Sequence, residues 1–110
     1  MTPEKVVQNA IVAYFKKLKD EGKPVMIERR QAGGFSYKAG IPDLYAVYDG
    51  YHIEIEVKRP GGSQSPMQEK YEMMCKKCNI LYICASSLLE VENFFKNNVF
   101  NRQIIERPIS

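Results

Sequence analysis

The stretch His52-Ile-Glu-Ile-Glu-Val-Lys58 alternates charged and aliphatic residues with a period of two. That is the pattern of a β-strand, whose successive side chains point to opposite faces. Ile53, Ile55 and Val57 are assigned to a core, and His52, Glu54, Glu56 and Lys58 to a solvent-facing side. Upstream, Asp49-Gly50 signals a two-residue hairpin turn, because both central residues must tolerate positive φ. Counting back from that turn pairs Tyr48 with Tyr51 and Asp43 with Glu56, about 5 Å apart at Cβ. Two carboxylates in that position repel each other unless something positive lies between them. A hard divalent cation meets the need: Mg²⁺ takes a few carboxylate oxygens and keeps its other positions for water and phosphate. Lys58, on the same face, could orient or deprotonate a water, or offset charge on a phosphate. The structural alternative is an amphipathic strand whose charged side chains are simply solvated. It explains a lone E-x-K well, but not an acid opposite Glu56 that follows directly on a glycine-proline entry.

The elements that must position these residues can be read along the chain. A first helix spans Pro3 to Lys19, with Thr2 as its cap and an apolar stripe of Val6, Val7, Ala10, Ile11, Tyr14, Phe15 and Leu18. Gly22 is its stop. A short strand covers Pro24 to Arg30, and residues 31 to 40 read as a loop with the Gly33-Gly34 pair. The strands Leu44 to Tyr48 and Tyr51 to Lys58 form the hairpin. Ser65-Pro66-Met67-Gln68 is a capping-box helix start. Met67, Tyr71, Met74, Cys75 and Cys78 are expected to line one buried face of that helix, which ends at Asn79. Ile80 to Cys84 is a continuous apolar run, as for a buried strand. Ser87 and Glu90 form a second capping box opening a helix to about Asn97. In the tail 99–110, Gln103 to Glu106 could be an edge strand or a partner contact. The order α-β-β-β-α-β-α predicts an α/β fold, a mixed sheet flanked by helices, as one domain over residues 1–110. The third and fourth strands should be parallel, through a right-handed crossover.

Bulk properties narrow the class. The net charge is +3 with 26% charged residues, ordinary for a globular enzyme. The stretch from Lys23 to Gly40 is locally basic, with Lys23, Arg29, Arg30 and Lys38 against Glu28. Three cysteines leave no complete disulfide framework, and Cys75-x-x-Cys78 lacks the further ligands of a zinc site. The pair reads as helix packing in a reducing, cytoplasmic compartment, with a redox couple as the competing reading. Residues 1–20 carry charges throughout rather than an apolar signal block, and no run is long enough to span a membrane.

Gly40-Ile-Pro-Asp43-Leu, a hairpin, Ile55-Glu56-Val-Lys58 and then Ser65-Pro-x-Gln68 together resemble the VRR-NUC family of the PD-(D/E)xK nuclease superfamily. The resemblance covers most of the chain and implies a restriction-endonuclease-like core. It implies that Asp43, Glu56 and the backbone carbonyl of Val57 hold Mg²⁺ or Mn²⁺, that Lys58 is the catalytic lysine, and that Gln68 lies near the site. Glu4 matches a first-helix acid that lies near the metals in many relatives; its structural alternative is a favourable charge in the first helical turn. Glu54 is a displaced alternative to Glu56, at the wrong spacing from Lys58, and His52 reads as a surface residue. Stand-alone members look like Holliday-junction resolvases, often of phage origin, so the implied function is structure-selective DNA endonuclease on a branched, four-way substrate. The implied assembly is a homodimer, since paired cuts need two symmetric sites. The implied location is bacterial cytoplasm, or host cytoplasm for a phage-encoded protein. Arg29, Arg30, Lys38 and Arg59 are the expected phosphate contacts, which position DNA without reading sequence; Phe35 or Tyr37 could stack at a junction. The competing functions are a less selective nuclease for nicking or end processing, and a DNA-binding module that has lost its chemistry.

Overall fold

The computed structural model describes residues 2–30 and 40–100. Expectations placed on the intervening loop, including Lys38, Phe35, Tyr37 and the Gly33-Gly34 pair, lie outside the described residues, as does the Gln103 to Glu106 segment. The elements in order are α1 (Pro3–Asp20), β1 (Val25–Arg29), β2 (Leu44–Tyr48), β3 (Tyr51–Val57), α2 (Pro66–Lys77), β4 (Leu81–Ala85), α3 (Leu88–Phe95) and a π-helical turn (Lys96–Phe100). Helices and strands thus follow in the order expected from periodicity; the π-helical turn is an addition.

The four strands form one mixed sheet in the order β1-β2-β3-β4. The first three are antiparallel, and β3 pairs with β4 in parallel across α2. Asp49 and Gly50 both have positive φ, 48° and 87°, which gives the tight reversal that matches strand twist. The register follows: Tyr48 faces Tyr51 and Leu44 faces Ile55. Asp43 stands one residue before β2, so its partner position is Glu56.

One face of the sheet forms the apolar core. Ile53, Ile55 and Val57 are fully buried there with Leu44 and Ala46, under Ile11 and Phe15 of α1 and Val91 and Phe95 of α3. Phe95 is edge-on to both Phe15 and Tyr48, with ring centroids 4.7 and 6.1 Å away. Such pairs add modestly to the stabilisation from area burial.

The opposite face corrects the sequence reading. It is not wet: Glu54 and Glu56 are each only 2% exposed, so β3 is buried on both sides. Helix α2 lies over it with a narrow contact. Cys75 is buried, but Met67 and Met74 are more than half exposed and Cys78 is exposed, so the predicted apolar face of α2 is largely solvated. The sheet side chains beneath α2 are polar, and a broad apolar stripe would have no matching surface. Strand β4, expected to be buried, is instead an edge strand, which leaves Leu81 and Ile83 half-buried.

Both predicted caps form, with one shift. The Ser65–Gln68 box is reciprocal: Gln68 N–H donates to Ser65 Oγ and Ser65 N–H to Gln68 Oε1, at 3.2 and 2.8 Å. At α3, Glu90 N–H donates to Ser87 Oγ, but the Glu90 carboxylate reaches back to Ser86 rather than to Ser87. At Gly40 (φ 87°), an added Cβ would lie 2.6 Å from the Met67 carbonyl oxygen. The entry to Asp43 is therefore packed directly on the first turn of α2. Gly40→Ala should lower the melting temperature by roughly 5–15 °C, as expected for about 1–3 kcal/mol of strain in a domain of this size. Circular-dichroism melts check this, and an unchanged midpoint would contradict the close packing.

Candidate active site

Each residue of the candidate site is held by a different part of this frame. Asp43 closes the β1–β2 ladder, its carbonyl accepting the Arg30 N–H at 2.8 Å. Glu56 sits near the end of β3. Lys58 follows it, its N–H donating to the Ala85 carbonyl at 2.9 Å, so β3–β4 pairing continues past the last strand residue. The Val57 side chain is fully buried in the core. Only its backbone is available toward the Glu56 side.

Asp43 and Glu56 face each other in the cross-strand row next to the Leu44–Ile55 pair. Burial, then the Asp43 charge, push the Glu56 carboxyl up to about 8; Lys58 pulls the other way, and Glu4 adds a further upward push. Lys58 Nζ lies 3.8 Å from Glu56 Oε2, with the lysine side chain 17% exposed. Two buried oxygens, Asp43 Oδ2 and Glu56 Oε1, have no hydrogen-bond partner. Buried polar atoms without partners are uncommon and costly. Two of them, on facing acids, make an oxygen donor set whose chemistry suits a hard cation.

Glu4 is close enough to influence Glu56 electrostatically, but it does not join a three-ligand cluster. Among the described residues, no group of three His, Cys, Asp or Glu side chains could hold a metal ion. Glu4 therefore stands beside Asp43 and Glu56 as an electrostatic neighbour in this structure. Two carboxylates and a carbonyl remain an adequate donor set for Mg²⁺, which retains several waters. Glu4 instead lines an open pocket with Thr2, Pro3, Lys5, Gln8 and Arg59. Gln68 spends its carbonyl oxygen on the α2 cap.

The expected phosphate contacts fare differently. Arg59 is exposed at the pocket. Arg29 is exposed and braced, its two terminal nitrogens donating to Gln8 Oε1 and Asn9 Oδ1 at 2.6 and 3.0 Å. Arg30 is not free for a phosphate: it grips Glu54 with both terminal nitrogens, at 2.5 and 2.8 Å, and also donates to the Pro42 carbonyl. In this structure its guanidinium serves the sheet rather than the surface. His52 is half exposed at the surface; its Nε2 contacts Glu54 and its ring stacks on Tyr45 at 5.4 Å. Lys5 and Gln8 were not singled out from the sequence. Gln8 reaches the pocket at i+4 from Glu4, and Lys5 bonds Gln8 from the preceding turn, a signal that becomes useful only once Glu4 is placed.

The C-x-x-C pair does not have the character of a redox couple. Burial raises the Cys75 thiol to about 11, with the Glu54 charge contributing, so it stays protonated and unreactive.

A solved structure described as a VRR_NUC domain matches this chain at a TM-score of 0.73 and 19% identity, over 89% of this chain and 99% of that one. A second, described as a VRR_NUC domain protein, matches at a TM-score of 0.65 and 24% identity, over 84% of each chain. The chain has the VRR_NUC fold. No protein-family model and no curated protein matches the sequence. The likeness to VRR_NUC domains agrees with the fold implied by the sequence resemblance and with the mixed four-stranded sheet. No helix among the described residues is long and apolar enough to cross a membrane.

Because Glu56 holds its proton more tightly folded than unfolded, it favours the folded state most below its ordinary range, near 4.5. That contribution falls as pH rises and is lost by about 8. In chelator, Glu56→Gln should therefore gain stability relative to wild type between pH 5 and pH 8. Thermal melts of both proteins across that range test the sign; a gap that narrows with rising pH would contradict the buried, unpaired carboxyl.

Proposed function

We propose that this chain is a divalent-metal-dependent nuclease that hydrolyses DNA phosphodiester bonds at Asp43, Glu56 and Lys58. The observation that supports the reading is the facing pair of the half-buried Asp43 and the buried Glu56, each with one buried oxygen that lacks a partner. Those oxygens, with the Val57 backbone carbonyl, would hold Mg²⁺ or Mn²⁺. The bound cation supplies Lewis-acid stabilisation of the charge that develops on the phosphate.

The chain's own residues do the rest. Asp43 and Glu56 must both be ionised to bind the cation, so binding releases the proton that Glu56 holds up to about pH 8. Lys58, 3.8 Å from Glu56, orients the attacking water and sets a positive charge against the phosphate oxygens. The site's partial burial strengthens both effects by excluding bulk water. Gln68 can contribute only its amide nitrogen, because its oxygen serves the helix cap. Arg29, Arg59 and Lys5 surround the adjoining pocket or its lining and suit the phosphates flanking the scissile one; Lys38, outside the described residues, is proposed as a further phosphate contact. Glu4, which lines that pocket, adds to the upward push on the Glu56 carboxyl.

Within this reading, the sequence resemblance favours a four-way DNA junction cut by a homodimer with two symmetric sites. The experiment is cleavage of a junction, a flap, a splayed arm and a plain duplex, with Mg²⁺, with Mn²⁺ and in chelator, alongside solution mass. Paired symmetric cuts in the junction alone support a resolvase; equal cutting of all substrates supports a less selective nuclease. Asp43→Asn and Lys58→Ala should each reduce cleavage at least about a hundredfold while still binding DNA. Full activity in both would overturn the assignment, and DNA binding by the wild type without cleavage under any metal would favour a silent binding module. Cys75→Ser with Cys78→Ser should cut like wild type.

A further inference from the structure

Arg30, Asp43 and Glu56 occupy one cross-strand row. The Arg30 N–H bonds the Asp43 carbonyl, extending the pairing of Arg29 with Leu44, and Asp43 faces Glu56 across the hairpin. An arginine at that position is the natural counter-ion for the two carboxylates beside it. Yet its guanidinium turns along the sheet to the next row and binds Glu54 in a forked pair, at 2.5 and 2.8 Å. There it also lies over the Tyr45 ring, 4.7 Å from the centroid, and donates to the Pro42 carbonyl at 3.0 Å. Glu54 is 2% exposed, and its second oxygen is also met by His52. Asp43 Oδ2 and Glu56 Oε1, in Arg30's own row, remain without a partner.

We infer that Glu54 is a positioning residue that withholds Arg30 from Asp43 and Glu56, and so keeps that carboxylate pair open to a divalent cation. The inference rests on the metal-site reading above. It assigns Glu54 a role distinct from ligation: with both oxygens occupied, it acts through Arg30. A forked guanidinium–carboxylate pair is strong and directional, which suits it to hold the arginine in one orientation.

The test is binding of Mn²⁺ alone to the metal-free protein, followed by the electron-paramagnetic-resonance signal of free Mn²⁺, with no DNA and no turnover. Glu54→Gln releases Arg30 to compete for the carboxylates and should weaken Mn²⁺ binding about tenfold. Adding Arg30→Gln removes the competitor, so the double variant should return to within about threefold of wild type. A merely structural role for the pair predicts the reverse, the double variant being at least as impaired as the single. Unchanged binding by Glu54→Gln, or no recovery in the double variant, overturns the inference. If Glu54→Gln is too unstable to titrate, Glu54→Asp keeps the charge with a shorter reach and should show a smaller loss, about threefold, again recovered by Arg30→Gln. Asp43→Asn separates the two levels: wild-type Mn²⁺ binding in that variant would sink the metal site itself, whereas weak binding there with normal binding in Glu54→Gln would sink only the role of Glu54.

Discussion

The opposition of Asp43 and Glu56 is the constraint around which the rest of this fold is arranged. Burying two carboxylates side by side opposes folding through desolvation and through their mutual repulsion. The chain reduces that cost by leaving Glu56 protonated over much of the neutral range, and by setting Lys58 at 3.8 Å. The remaining cost has to be offset elsewhere. The other face of the same strand does this, with Ile53, Ile55 and Val57 fully buried under two helices and an aromatic cluster centred on Phe95. One strand thus carries the core on one side and the strained electrostatics on the other. Central placement in the sheet is what makes both burials possible.

Much of this was legible because the hairpin is short. A two-residue turn with positive φ at both positions leaves no freedom in register, so the pairing of distant side chains follows by counting. The same holds for the helix starts at Thr2 and Ser65, where cap and proline coincide. What could not be counted was depth. Alternation of charged and aliphatic residues in β3 suggests a solvated face, yet the charged residues there are covered. Periodicity reports which residues share a side, not whether a later helix will cover it. That cover depends on α2, whose apolar stripe in sequence does not announce how few of its residues it will bury.

Charge clusters in sequence likewise translated poorly into surface. Arg29 and Arg30 are adjacent in the chain but point to opposite sides of the sheet edge, one braced against α1 and the other drawn inward to Glu54. Lys5 and Gln8 join Arg29 only because α1 packs beside β1. A basic surface is assembled from tertiary neighbours, so a locally basic stretch of sequence does not by itself show which charges share a face.

The distinction between Glu54 and Glu56 shows how motif spacing and geometry meet. Both acids lie on one face of one strand, two residues apart, and both are almost fully buried. Spacing to Lys58 favours Glu56 on pattern alone, and the structure supplies the physical reason. Glu54 has an arginine fork on one side and a histidine on the other, so its charge is satisfied within the protein. Glu56 faces another acid and keeps an orphaned oxygen. A cation entering this face gains little from Glu54, whose oxygens would first have to give up Arg30 and His52. It would gain more from Asp43 and Glu56, which each keep an oxygen without a partner. On the metal-site reading proposed above, the acid with the fewest partners would be the ligand, and the acid with the most partners would keep it in that condition.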